Sequence, residues 1–265
     1  MKRQAVSNAH AAYLRRIRRD ARTVRLLRIA LLLGFLLLWE LGADLRWFDP
    51  FILSSPSRAF GTIARLYRDG SLWLHIGTTL LETVLGFLLG TVLGALLAVL
   101  LWWMPRLNRI LDPYLVVLNA LPKIALGPVL IVWIGAGMAS IVVMGVLVSL
   151  IVTTVTVLNG FLAATDEKQL LMRTLGATKL QTFCKVVLPG GVPDLISALK
   201  ISVGMSWVGV IVGEYLVSKA GLGYLIVYGG QVFKLDLVMA SVIILCVLAA
   251  LMYYAVAFLE KKVRR

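Results

Sequence analysis

The sequence predicts an all-α, polytopic membrane protein with about six transmembrane helices. Sixty per cent of the 265 residues are hydrophobic and the mean hydropathy is +0.91. A soluble domain lies nearer about 45–50% apolar, even with glycine counted. Several apolar windows reach the roughly 20 residues that a helix needs to cross a bilayer. The net charge of +14 gathers at the N-terminus and in the intervals between apolar windows. That is how a membrane protein sets its orientation, and nothing in the sequence reads bases, so nucleic acid is not an expected partner.

Residues 1–25 form a basic cytoplasmic segment. Leu14, Ile17, Ala21 and Val24 repeat at helical spacing among arginines, which predicts an interfacial helix on anionic lipid. Residues 26–265 form one transmembrane domain. Its first helix is expected over Leu26–Leu41. The stretch from Gly42 to His75 is amphipathic, with Ser57 placed to cap a short helix. The second span covers Ile76–Trp103, where Gly86, Gly90 and Gly94 leave a smooth strip for another helix, in this subunit or across a dimer seam. Glu82 is an acidic residue inside that span, and it needs a partner or a path to the interface.

The third span, Ile110–Ile134, is interrupted. Asn119, Pro122, Lys123, Gly127 and Pro128 fall within ten residues. Such a break frees carbonyls that must face protein or a water-filled cavity, and unwound midplane segments are where transporters place substrate contacts. Asn119, Pro122 and Lys123 are therefore candidate pathway residues, although Lys123 also suits a structural ion pair. Gly135-Ala136-Gly137 predicts a tight turn before a fourth span, Met138–Leu158. The fifth, Leu195–Val217, carries small residues for close packing, with Trp207 and Glu214 as further pathway candidates. Trp207 also suits plain packing, and Glu214 can pair with a cation such as Lys219. Residues 218–235 can re-enter the membrane or gate it, and a sixth span runs Val238–Leu259. With both termini cytoplasmic, the inner segments hold 20 Lys and Arg and the outer ones six.

The longest charged interruption of the second half is Thr165–Pro193. Asp166 and Glu167 favour a helix start, Gly176 a left-handed helix end, and Thr178 with Gln181 a capping box. Leu188-Pro189 and Pro193 are expected to stop and redirect the chain. A helix-turn-helix with no catalytic equipment is a docking device.

This stretch resembles the coupling loop of binding-protein-dependent ABC importer permeases. From Gly176, nine residues lead to Val186-Val187-Leu188-Pro189, the family's spacing, while Leu170, Leu171 and Met172 stand where the family has Glu-Ala-Ala. The likeness extends over roughly Phe51 to Arg265. Leu53-Ser54-Ser55-Pro56-Ser57, the run Ala120 to Pro128 and Ala220 to Ile226 are similar to the nitrate, sulfonate and taurine subgroup. The resemblance implies a type I importer fold in the plasma or inner membrane. It also implies a homodimeric pathway, two cytoplasmic ATPase subunits that bind ATP and Mg, and an extracytoplasmic solute-binding protein. Leu170, Leu171, Met172, Arg173, Thr174, Leu175, Gly176, Ala177, Leu188 and Pro189 would contact the ATPase. The implied cargo is a small organic or inorganic anion, with a pyrimidine vitamin precursor as the alternative.

The chain has no G-x-x-x-x-G-K-[ST] phosphate loop, so no cofactor is expected on it. His10, His75, Cys184 and Cys246 are too dispersed for a metal cluster, and no activated nucleophile is recognisable, so an enzyme is not expected. An ion-coupled carrier is the competing class, with Glu82, Lys123 and Glu214 as its only candidate relay.

Overall fold

The computed structural model describes residues 8–163 and 166–263, and among them every regular element is helical. The chain divides into two compact units at the Thr62–Ile63 junction.

In the first unit, α1 (Asn8–Asp44) runs without interruption through the expected boundary at residue 25. Its sequence has no proline, so no backbone donor is lost at that boundary. A short α2 (Pro50–Leu53) follows, capped by the Asp49 carboxylate on the Phe51 amide at 2.8 Å. Helix α3 (Pro56–Arg68) begins one residue before the cap expected at Ser57. Pro56 occupies the first turn, where its missing N–H costs nothing, and Ser55 Oγ accepts from the Arg58 amide. Ser57 instead donates through its amide (2.9 Å) and hydroxyl (2.6 Å) to the two oxygens of Glu40 on α1.

In the second unit, α4 (Ser71–Trp103), α7 (Met138–Leu162) and α10 (Leu188–Val217) form the core, with α7 packed on both others. The glycine strip of α4 faces α7 within this subunit. A Cβ on Gly90 would lie 1.9 Å from Ser149 Oγ, and one on Gly94 2.8 Å from the Leu150 carbonyl. Gly209 of α10 meets the other side of α7, where a Cβ would lie 2.8 Å from Gly145 Cα. Hydroxyls span the close contacts. Thr154 donates to the Gly94 carbonyl at 3.2 Å, and the Thr153 and Ser202 hydroxyls lie 2.6 Å apart. In an apolar bundle, small residues and such bonds do the work that large side chains do in a soluble core.

Helix α5 (Pro105–Ala120) and the segment Lys123–Ile134, a 3₁₀ turn followed by α6 (Gly127–Ile134), are the halves of the broken span. They meet at 89°. Among the described residues five further helices are long and apolar enough to cross a membrane, so the bent pair makes up to six spans. Helices α8 (Asp166–Thr174) and α9 (Lys179–Thr182) come next, and a π-helical segment, Phe183–Val187, leads into α10. The expected stop at Leu188-Pro189 and Pro193 is overturned. Lys179–Val217 is one continuous span of 39 residues, beginning well before the expected Leu195. Pro189 sits at the first turn of α10, directly after the widened π segment, where a missing donor is tolerated. Helix α11 (Leu222–Gln231) occupies the loop after α10, and α12 (Leu235–Val263) closes the described chain.

Candidate coupling hairpin and the polar sites of the bundle

Thr174, Gly176 and Thr178 shape the turn between α8 and α9. Helix α8 opens on Asp166 and Glu167; Thr165, which precedes them, lies outside the described residues. It ends in a Schellman motif. The Ala177 amide donates to the Met172 carbonyl (2.9 Å) and the Gly176 amide to that of Arg173 (3.0 Å). Gly176 adopts φ +74°, which a residue with a Cβ enters only with strain. Two residues later the expected capping box closes. Thr178 Oγ1 accepts from the Gln181 amide (3.2 Å), and Gln181 Oε1 accepts from the Thr178 amide (2.8 Å).

The hairpin displays apolar side chains. Leu170, Leu171 and Leu175 are 62%, 59% and 73% exposed, and Leu180, which sequence reasoning passed over, is 59% exposed. Leucines this bare beside Arg173, Lys179 and Lys185 make an apolar patch with a basic rim, the pattern of a protein-docking surface. Met172 and Ala177 are half-buried, while Leu188 and Pro189 are exposed at the foot of α10. Thr174 folds its hydroxyl back onto the Leu171 carbonyl.

A cation and an aromatic cluster tie the hairpin to the bundle. The Lys179 ammonium donates to the carbonyl of Trp103, the last residue of α4, and lies 5.6 and 5.3 Å from the ring centroids of Trp102 and Trp103. A helix C-terminus presents free carbonyls and a partial negative charge, so a lysine belongs there. Phe183 packs on the Trp102 ring at 5.0 Å and on that of Phe161 at 5.5 Å. Above the turn is a cavity of about 430 Å³, lined by Trp102, Asn108, Gln169, Arg173, Ala177 and Lys179 among others.

The pathway candidates do not converge. Lys123 donates to the Asn119 carbonyl at 3.0 Å, so the break in the third span supplies the acceptor for its own lysine. Asn119 lines a cleft of about 270 Å³ with Asp112 and Asn159, and Pro122 is exposed at the bend. Trp207 is elsewhere, buried against Phe87, Val203 and Val256. Glu214 is 1% exposed at the far end of α10 from the hairpin. No cation pairs with it among the described residues, and Lys219 is not its partner. Its carboxylate accepts from the amides of Gly223 (2.6 Å) and Tyr224 (3.3 Å), the first turn of α11.

Comparison with known proteins identifies the chain. Residues 90–265 match the family described as "Binding-protein-dependent transport system inner membrane component". The chain belongs to this family. It is an ABC importer permease, a membrane-embedded transport component. A probable ABC transporter permease protein from Haemophilus influenzae is 35% identical over 89% of this permease and 96% of its own length. The formylaminopyrimidine permease ThiX of Halalkalibacterium halodurans is 32% identical over 86% and 90%. The taurine permease TauC of Escherichia coli is 23% identical over 89% and 88%. The fold matches the inward-facing MetNI methionine ABC transporter with a TM-score of 0.65, at 22% identity over 74% of this permease and 99% of that chain. The permease thus has the type I importer fold that the coupling-loop spacing implied.

Proposed function

We propose that the permease forms, with a second copy of itself, the translocation pathway of an importer for a small anionic solute. The α8–α9 hairpin docks into a separate cytoplasmic ATPase that binds ATP and Mg, and an extracytoplasmic solute-binding protein delivers the cargo. The observation that carries this reading is the hairpin. A rigidly capped turn projects exposed leucines within a basic rim, at the head of a span that runs the length of the bundle. Lys123, held at the break of the bent span with its ammonium on a backbone carbonyl, supplies a positive charge suited to an anion. Both termini are cytoplasmic, and the basic face of the N-terminal segment suits anionic lipid. A second cargo reading, a pyrimidine vitamin precursor, is favoured by the 32% identity to a formylaminopyrimidine permease.

A mild-detergent pull-down of the tagged permease from its native membrane tests the reading. Recovery of an ATPase and a solute-binding protein is expected. The recovered binding protein, screened by thermal shift against sulfonates, taurine, nitrate and aminopyrimidines, then identifies the cargo class. A permease that purifies without an ATPase overturns the reading.

A further inference from the structure

The first turn of α11 is held by side chains of two other helices. The Gly221 amide donates to His75 Nδ1 (3.0 Å) and the Leu222 amide to Thr79 Oγ1 (2.7 Å), both on α4. The next two amides, Gly223 and Tyr224, go to one oxygen of Glu214 on α10. A helix N-terminus has four orphan donors in its first turn, and here four consecutive amides are satisfied by three side chains. The fit is close. Gly221 adopts φ +115°, and a Cβ on it would lie 2.3 Å from Glu214 Oε2.

Glu214 has a second neighbour. Glu82 on α4 is 2% exposed, and its carboxyl is in hydrogen-bonding contact with that of Glu214. Glu82 Oε2 and Glu214 Oε1 are fully buried, and neither has a donor from another group among the described residues. Two carboxyls cannot hydrogen-bond unless one carries an O–H, because ionised carboxylates only accept. Glu214 already accepts from two amides and from Thr79, which places the anion there and the proton on Glu82.

We propose that Glu82 is a positioning residue that carries a shared proton and, by donating to Glu214, fixes the carboxylate that fastens α11 to the α4–α10 wall. Among the described residues no cation takes this part. Helix α7, which packs beside both, contains no titratable side chain, and α6 contains none. The titratable groups facing the pair are His75 on α4, Tyr215 on α10 and Tyr224 on α11, and α12 brings Asp236 in its first turn. His75 uses Nδ1 as an acceptor, so that nitrogen bears no proton, and its ring stacks on Tyr224 with centroids 6.1 Å apart. Loss of the shared proton would leave two buried anions in contact and release α11.

Infrared spectroscopy and amide hydrogen exchange on the full-length permease in lipid nanodiscs test it across a pH series. The expected result is a buried carboxylic-acid C=O band at neutral pH that Glu82→Gln removes. That variant retains an N–H donor, so protection of the Gly221–Tyr224 amides should persist in it and lose its dependence on pH. Glu82→Ala should lower the same protection by at least about tenfold, the scale of one buried charge-assisted hydrogen bond. Amides of α7 serve as the control for folding. If no acid band disappears in Glu82→Gln, or if Glu82→Ala leaves α11 protection unchanged, the proposal is overturned. Should Glu82→Ala fail to fold, the band in Glu82→Gln decides alone.

Discussion

Gly209 sits where two helix backbones nearly touch, so any side chain there must collide with main chain. A Cβ would fall 2.8 Å from both Gly145 Cα and the Met144 carbonyl. Backbone cannot swing aside as a flexible side chain can, so Gly209→Val should lower the detergent melting temperature more than Gly204→Val. Gly204 has open space around it, and an equal effect of the two changes would refute this packing account. Gly176 tests a different property, since nothing lies near its Cβ and only its backbone angle matters. Gly176→Val should cost the turn about 1–3 kcal/mol. It should reduce uptake in proteoliposomes holding the ATPase while hydrolysis persists; wild-type uptake would argue against the coupling assignment. The role of Gly176 was legible in the sequence because turn chemistry is local. That of Glu82 was not, because its partner lies 132 positions away on another helix. Glu40 escaped for the same reason: the start of α3 depends on a carboxylate 17 residues earlier.

At the scale of elements, the hairpin is anchored at one edge by α4. Lys179→Met would remove the ammonium from the Trp103 carbonyl and from both indole faces. The expected outcome is faster amide exchange across 178–182, with transport falling more than ATP hydrolysis. Unchanged exchange would mean that the aromatic cluster around Phe183 suffices. Thr178→Ala should weaken the same turn by about 1 kcal/mol through the lost cap, read as faster exchange of the Gln181 amide. The bent third span was visible in its prolines and glycines. The continuity of α9 into α10 was not. Proline chemistry argues for a stop, yet the helix passes Pro189 directly after a π-helical turn at Phe183–Val187 and carries Pro193 in its interior. That turn has no sequence signal comparable to a cap.

For the whole molecule, the all-α class and the rough positions of most spans followed from hydropathy, the start of the fifth excepted, since a bilayer admits few backbone arrangements. Which helix pairs with which was written only faintly, in the glycine spacing of α4. Sidedness remains open to a direct test. Cys184 is exposed beside the hairpin and Cys246 lies within α12. A membrane-impermeant thiol reagent should label Cys184 in inside-out vesicles and not in right-side-out ones, with Cys184→Ser as the control. Labelling from the opposite face would invert the topology.

The unbroken run from Lys179 to Val217 has a mechanical meaning. At a rise of about 1.5 Å per residue its contour is about 58 Å, well beyond the roughly 30 Å hydrocarbon thickness. On the proposed function, one end carries the surface that would meet the ATPase, and near the other end is the carboxylate that holds the first turn of α11. Torque applied at the hairpin needs no relay of side chains to reach the opposite face. If the ATPase drives the hairpin, such a rod would act as a crank, and the short helix clasped to its far end would turn with it.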